Sequence, residues 1–508
     1  MTRRITRRQA ISELMVAGTT LALAGCGGTG LAPRHPSGST LHTTWRDPAG
    51  TGQLMVAPGE PFVDRIELGE RARTIGVLAT LAHLTDAHVL DAESPARVTF
   101  LDRLGAPFQS TFRPQETLTA HVLAGALRSI RALRPDVLIQ GGDLIDNDQA
   151  NELSLALAVM KGGRAHPGSG GAGYRGVQSA TDADPFYYRP DLDAPRHPGL
   201  LERATSPFLS PGAGSAWLPV LGDHDILVAG ELAPTAQTRA LAVGGEAVWD
   251  LPPGLSVPPG LLSVRGAGGP DTSSPDGPPN ARAVDRFLAQ ALDAPKVRVP
   301  ADPRRRELDP AESLAALRGA SGQPGTGALL DGAVNIGEHV RVLVLDLARR
   351  DGGSGGVVHA GQARWVAAQL AAAGERWIIV VSHQPLVSSA GGEEILGLLD
   401  RDPRVIAALS GHIHRNRIAA RRTAAGGYWM ISTASLIDYP QQARALRVLA
   451  TTDGVAIQAW MLDHVFPGDL GSISRQLAYL DAEGGRPQGF AGGRLDRNVI
   501  LYRARPRA

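Results

Sequence analysis

Five short clusters of aspartate, histidine and glycine punctuate this chain. They are Asp86-Ala87-His88, Gly142-Asp143, Gly222-Asp223-His224-Asp225, His383 with Gln384-Pro385 behind it, and Gly411-His412-Ile413-His414. Five of the 14 histidines fall inside them, which scattered placement rarely gives. Neutral imidazole is the commonest metal ligand. Carboxylate mixed with imidazole, and no thiolate, suits Fe, Mn or Zn and argues against an iron–sulfur cluster or a cysteine-type structural zinc. The donors are too many for one tetrahedral ion and about right for two ions sharing a carboxylate. Two ions roughly 3.5–4 Å apart can clamp the attacking and leaving oxygens of an in-line displacement at phosphorus. A water between them is acidified towards hydroxide near neutral pH. A histidine left over from ligation suits protonation of the leaving alkoxide. In the last cluster, His412 and His414 stand at i and i+2. On an extended backbone they are expected on one side of the chain, with Gly411 permitting a tight turn before them.

Each cluster follows an apolar run of strand length. Val77 to Leu84 precedes the first, Val137 to Ile139 the second and Trp217 to Leu221 the third. Trp377 to Val381 precedes His383, and Val405 to Leu409 precedes the paired histidines. Further strands are predicted at Val340 to Leu345, Tyr428 to Ser432 and Val448 to Leu462. Between them lie helical periods: Gln115 to Leu133, stopped by Arg134-Pro135, then Leu153 to Met160, Gly361 to Ala373 and Glu393 to Leu399. Strands alternating with helices predict a layered α/β domain, whose ligands gather beyond the strand ends. Two Gly/Pro-rich stretches, about 161–215 and 229–336, interrupt the pattern as long insertions, the second with helices predicted at Ala283–Leu292 and Ala311–Leu317.

In this order, across about residues 78–450, the clusters resemble the motifs of the calcineurin-like metallophosphoesterase superfamily: DxH, GDxxD/N, GNHD/E, an H before a Pro, and GHxH. The resemblance implies a two-sheet α/β sandwich flanked by helices, and hydrolysis of a phosphate ester, monoester or diester, by a hydroxide bridging two metal ions (Fe, Mn or Zn). By position, Asp86, His88 and His414 correspond to ligands of the first ion. Asp143 corresponds to the bridging carboxylate, and Asp223, His383 and His412 to ligands of the second ion. His224 corresponds to a phosphate-contacting general acid and Asp225 to its orienting partner. Asp223 stands where the family usually has Asn, which adds a negative charge at the second ion. The flanking Ser94-Pro95-x-Arg97, Arg113-Pro114-Gln115-Glu116, Ser435-Leu436-Ile437-Asp438-Tyr439-Pro440 and Asp496-Arg497-Asn498 resemble twin-arginine-exported actinobacterial metallophosphoesterases with long inserts. The alternative is a metal- or ligand-binding lipoprotein of the same fold without turnover. Intact His224 and Asp225 argue against it, since a binder has no use for a proton donor.

The N-terminus reads as an address. Arg3, Arg4, Arg7 and Arg8 precede the apolar run Leu14 to Ala24, too short to span a bilayer as a stable helix. Thr6-Arg7-Arg8-Gln9-Ala10-Ile11 resembles a twin-arginine export signal, and Leu23-Ala24-Gly25-Cys26 a lipoprotein box with lipid on Cys26. Residues 1–25 are therefore expected to be removed and 26–70 to form a tether and an N-terminal segment. The phosphoesterase domain is expected over 71–470, with 471–508 as a C-terminal extension. The expected location is the outer face of the cytoplasmic membrane. Cys26 is the only cysteine, so no internal disulfide can form. Loss of the signal, with four arginines and one glutamate, takes the formal charge from +1 to −2. Neither value gives the basic field of a nucleic-acid binder. The expected partners are a small phosphate ester and the membrane; the oligomeric state is open.

Other polar residues carry blander expectations. His83 and His121 read as packed side chains, and Trp217 and Trp365 as core. Asp91, Asp146 and Asn147 stand as either supports behind the ligands or loop carboxylates and amides. Arg97, Arg113 and Arg415 suit phosphate by type, with surface solvation as the alternative. Phe186, Tyr187 and Tyr188 either line a cleft or pin the first insertion.

Overall fold

The computed structural model describes residues 36–105, 108–256, 280–486 and 489–505. The signal segment, Cys26 and the start of the tether lie outside them. Thirteen strands make two sheets. In chain order they are β1 (Val63–Leu68), β2 (Thr74–Leu84), β3 (Val137–Gln140), β4 (Trp217–Pro219), β5 (Gly332–Ile336), β6 (Val340–Leu345), β7 (Trp377–Ser382), β8 (Val405–Ser410), β9 (Arg417–Arg421), β10 (Tyr428–Ser432), β11 (Gln442–Thr451), β12 (Gly454–Asp463) and β13 (Val499–Ala504). The first sheet runs β1-β13-β12-β11-β2-β3-β4 and the second β5-β6-β7-β8-β10-β9. The strands that precede the clusters are parallel to their neighbours: β2 with β3, β3 with β4, and β6 through β8 with β10. All of those carboxyl ends therefore open at one edge of their sheets, where ligands collect in α/β folds.

Alternation along the strands builds the layers. In β2, Ala79 and Leu81 face the second sheet, while Ala82 and Leu84 face the helices. Val342 and Val344 of β6 and Ile379 and Val381 of β7 complete the apolar layer between the sheets. Each such side chain contributes about 1.5–3 kcal/mol relative to exposure. Helices α1 (Thr119–Leu133) and α2 (Ala150–Lys161) cover the first sheet with Leu123, Leu127, Ala156 and Val159. Later in the chain come α3 (Ala236–Val243), α4 (Ala281–Ala291), α5 (Pro310–Ser321), α6 (Gln362–Ala371), α7 (Gly392–Leu399) and α8 (Leu470–Glu483). Helices α6 and α7 cover the second sheet with Val366, Leu370, Ile395 and Leu396. This is the layered α/β domain that the sequence pattern predicts, in the two-sheet form flanked by helices that the resemblance implies.

Three details depart from the sequence reading. Val448 to Leu462 is not one strand. It is the end of β11, a turn at Thr452-Asp453 and most of β12, because Asp-Gly at 453–454 is hairpin chemistry inside an apolar run. Residues 471–508, set apart as an extension, supply α8, which packs on α1, and β13, which hydrogen-bonds between β12 and β1. The segment before residue 70 likewise supplies β1 at the sheet edge. Among the described residues, no helix is long and apolar enough to cross a membrane.

Candidate metal centre

All nine residues singled out from the sequence lie just beyond the ends of β2, β3, β4, β7 and β8. The loops after β2 and β3 stay paired past the strands: the Asp86 amide donates to the Gly142 carbonyl (3.0 Å) and the His88 amide to the Asp143 carbonyl (3.1 Å). Asp86, His88, Asp143, His412 and His414 all have φ between +43° and +66°. Non-glycine residues hold that conformation only where the surroundings over-determine it, and such strain gathers at functional sites. The paired histidines therefore depart from the expected extended backbone. Both sit in the left-handed region beyond β8, and their rings diverge into different groups. Two glycines make the approach possible. A Cβ on Gly142 (φ +96°) would stand 2.3 Å from the His383 ring, and one on Gly411 would stand 2.0 Å from Thr85 Oγ1.

The side chains form two adjoining donor sets. One is Asp86, His88 and His414; the other is Asp143, Asp223, His383 and His412. His224 makes a third grouping with His88 and Asp143, one member from each set. In the first, His414 Nε2 lies 3.3 Å from Asp86 Oδ1 and 3.3 Å from His88 Nε2. In the second, His383 Nε2 lies 3.0 Å from Asp143 Oδ2 and 3.3 Å from Asp223 Oδ1, and His412 Nδ1 lies 3.4 Å from that same Asp223 oxygen. Asp143 Oδ2 is also 3.7 Å from His88 Nε2, which puts this carboxylate between the sets. Metal–ligand bonds of about 2.1 Å give donor–donor edges of about 3.0 Å in an octahedron and about 3.4 Å in a tetrahedron.

Hydrogen bonds behind the rings fix which nitrogen faces inward. His88 Nδ1 meets Asp146 Oδ1 at 3.0 Å, His414 Nδ1 meets Asp438 Oδ2 at 2.5 Å, and His383 Nδ1 meets the Gly141 carbonyl at 2.8 Å. Each partner only accepts, so Nδ1 carries a hydrogen, and in the neutral ring Nε2 presents its lone pair. The lone pairs of His88 and His414 then face each other at 3.3 Å, and that of His383 faces carboxylates with no hydrogen-bond partner. With the rings neutral these donors repel one another, and a proton or a metal cation among them relieves it; the donor types and their spacing fit a pair of metal ions. The carboxylates are braced in turn. Arg97 pairs with Asp146 and with Glu116 (2.7 Å), and Arg113 pairs with Asp438 (2.6 Å).

Charge states follow the same geometry. Burial opposes ionisation of Asp146 and Asp438, yet Arg97 and His88 hold the first, and Arg113 and His414 the second, well below the ordinary carboxylate range. Burial disfavours the charged His414 ring, but Asp86 and Asp438 push it up to about 10. His383 is raised in the same way, with burial opposing and Asp143 and Asp86 prevailing. The pocket therefore demands positive charge, from protons or from metal.

His224 and Asp225 do not form the expected pair. The His224 ring is held through Nδ1 by the Asp146 carbonyl at 2.6 Å. Asp225 accepts from the amides of Gly222 (2.9 Å), Leu144 (2.9 Å) and Ile145 (3.3 Å). The loop after β3 brings the Leu144 and Ile145 amides, and the turn after β4 the Gly222 amide, to one buried carboxylate that satisfies all three. Asp225 thus ties the loops that carry Asp143 and His224 instead of touching the ring.

Of the other candidates, Asp146 supports His88, and Asn147 Oδ1 accepts from the Ala229 amide at 2.6 Å. Asp91 belongs elsewhere, paired with buried Arg305 at 2.8 Å. Arg97 and Arg113 brace carboxylates and are not spread on the surface. The Arg415 guanidinium lies 5.6 Å from the Phe490 ring. His83 is packed against Thr433, and His121 between Phe208 and Phe466. Trp217 is buried and Trp365 packs partly buried beneath the second sheet. Phe186 and Tyr187 pack with Phe112 and Trp249, so they pin the insertion. Asp438 and Gln384 went unassigned. Gln384 Nε2 donates to Asp223 Oδ1 at 3.0 Å. Its place in the His383-Gln384-Pro385 cluster was the one available signal.

No protein-family model matches the chain, and no curated protein matches it. Solved structures do. A dimetal phosphatase from Danio rerio is 12% identical, covering 77% of this chain and 97% of that one, with a TM-score of 0.41. PhoD is 11% identical, covering 82% of this chain and 70% of that one, with a TM-score of 0.31. The Thermus thermophilus sulfate thiohydrolase SoxB, in complex with glycerol, is 12% identical, covering 82% of this chain and 62% of that one, with a TM-score of 0.28. This chain thus spans less than two thirds of SoxB. Likeness at this level says nothing of chemistry, which rests on the side chains described above.

Proposed function

We propose that this protein is a phosphoesterase working with two metal ions. The observation that carries the reading is the pair of donor sets whose ring nitrogens and carboxylates converge, with Asp143 standing between them. Asp86, His88 and His414 would hold one ion, Asp223, His383 and His412 the other, and Asp143 both. Bound there, the ions would supply charge for the phosphoryl oxygens and acidity for an attacking water. The chain's own residues do the rest. The Asp146 carbonyl fixes the His224 ring through Nδ1, which leaves Nε2 to carry a proton to the departing alkoxide. Burial lowers the affinity of that ring for its proton, but Asp143, Asp223 and Asp146 outweigh burial and raise it. Asp225 keeps the His224 and Asp143 loops in register through three backbone amides.

The N-terminal residues support action outside the cytoplasmic membrane: Arg7-Arg8 as the export signal and Cys26 as the lipid-bearing residue. Elemental analysis of purified protein is expected to give two ions per chain. Hydrolysis of p-nitrophenyl phosphate and of its bis ester, with Mn, Fe or Zn supplied, separates monoesterase from diesterase. Two bound ions with neither ester cleaved would instead make the protein a metal-binding lipoprotein. In cells, Cys26→Ser is expected to move the protein from the membrane to the soluble fraction.

A further inference from the structure

A cleft of about 410 Å³ opens onto the donor sets and does not stop there. At one end it is walled by His88, Asp143, Asp223, His224, His412 and His414. From that polar end it runs between two elements that supply no donor to either set. One is the short-helical segment Pro95–Leu104, just after the first cluster. The other is α4 of the second insertion. Helix α4 places Ala283, Val284, Phe287, Leu288 and Ala291 at positions i, i+1, i+4, i+5 and i+8, a single apolar face. That face packs on Phe100 and Leu101, and Phe287 stacks on Phe108 with centroids 6.4 Å apart. Phe100, Leu101, Phe287 and Leu288 pack with their neighbours and still border the cleft, joined by half-buried Leu232 and Leu241.

The two arginines that reach this cleft are already committed. Arg97 donates to Asp146, Glu116 and the Thr111 carbonyl, and Arg113 donates to Asp438 and the Ser110 carbonyl. Neither is free to take a second anionic group. Gln109, Ser110, Thr111, Glu231 and Thr238 also border the cleft, but along α4 and Phe100-Leu101 a sugar, glycerol or nucleotide would surrender its hydration to carbon and aromatic edge, which is costly. A hydrocarbon there removes apolar surface from water on both sides.

Building on the phosphoesterase reading, we propose that the substrate is a phosphate ester of a lipophilic alcohol, its phosphate at the donor sets and its hydrocarbon along α4 and the Pro95–Leu104 segment. Apolar burial carries the selectivity, so affinity rises with chain length. The gain is about 3–4-fold for each methylene while the groove has room.

The test is a series of non-hydrolysable alkyl phosphonates, methyl to decyl, titrated calorimetrically into the full-length protein carrying two ions by elemental analysis. The expected result is affinity rising several-fold per methylene, then levelling. Leu241→Asp and Leu292→Asp put charge at two half-buried positions on the groove wall. Each is expected to flatten the slope, and two sites guard against one variant failing to fold. A flat series with methyl phosphonate still bound overturns the lipophilic assignment and leaves the phosphoesterase reading standing. A slope unchanged in both folded variants overturns it too, since the hydrocarbon then lies elsewhere. Absence of bound metal and of any phosphonate binding removes the phosphoesterase reading, and this inference with it.

Discussion

The two donor sets are built to different plans. In the first, both imidazoles are backed by carboxylates, Asp146 behind His88 and Asp438 behind His414, and each carboxylate is gripped by a buried arginine. In the second, His383 is backed by a neutral carbonyl, His412 enters through Nδ1, and Asp223 is met by the Gln384 amide. A carboxylate behind an imidazole raises its basicity and fixes its ring. The first position is therefore expected to hold an ion more tightly, and the second to depend more on the charge of Asp223. Exposure follows the same line: the His412 side chain is 25% exposed and that of His414 14%.

The hardest blow to this contrast is Asp143→Asn, which weakens the carboxylate common to both sets. Metal content is expected to fall below two per chain, and kcat/KM to fall about 10³-fold or more, since the ions supply several kcal/mol of charge stabilisation. Unchanged metal content would mean the sets are independent. Next come Asp438→Asn and Asp146→Asn. Each is expected to weaken metal binding at the first position 10–100-fold, read by chelator titration with elemental analysis. Gln384→Ala should weaken only the second position, and by less. If it matched Asp438→Asn, the two plans would be equivalent. Smaller still is Asp223→Asn. Removing one charge should release the second ion at lower chelator concentration while sparing the first, with turnover retained or modestly raised. Unchanged metal content and turnover would make that charge irrelevant.

How much of this was legible in the sequence depended on whether the signal was local. The seven proposed ligands lie within a few residues of strand ends, and apolar runs of strand length announce those ends. The supports were not legible in the same way. Asp438 meets His414 across 24 positions, Arg113 meets Asp438 across 325, and the His224 ring finds a carbonyl 78 positions away. Nothing in a window of sequence encodes such pairings. Asp225 misled for a related reason: adjacency to His224 suggested partnership, while two of the three amides it satisfies come from the Leu144 and Ile145 loop about 80 positions earlier. The apolar wall of α4 was readable as a helix from its period. What it faced was not, because Phe100 and Phe287 lie far apart in the chain.

A final comparison lies within one loop. Asp146 is buried but held ionised by Arg97 and His88. Two residues on, Asp148 is also fully buried, yet neither of its carboxylate oxygens has a hydrogen-bond partner. Burial first, and then the nearby Glu307 carboxyl, push Asp148 up to about 8, and burial pushes Glu307 up to about 7. The segment also pairs with the second insertion, the Leu308 amide donating to the Asp148 carbonyl at 2.7 Å. The folded chain keeps protons here that the unfolded chain sheds near pH 4, so the unfolded state binds fewer protons across the window from about 4 to about 8. Stability from this pair is thus fully present at the acid end and lost as pH rises through the folded values. At most 1.36 kcal/mol per pH unit per proton is at stake, or about one to two degrees of midpoint per unit in a chain this long. Calorimetric midpoints of metal-loaded protein between pH 5 and 8.5 are expected to decline, and Asp148→Asn to shallow that decline, because an amide has no proton to lose. Equal slopes in the two proteins would place the pH sensitivity elsewhere, and the contrast between the cation-braced Asp146 and the unbraced Asp148 would lose its energetic content.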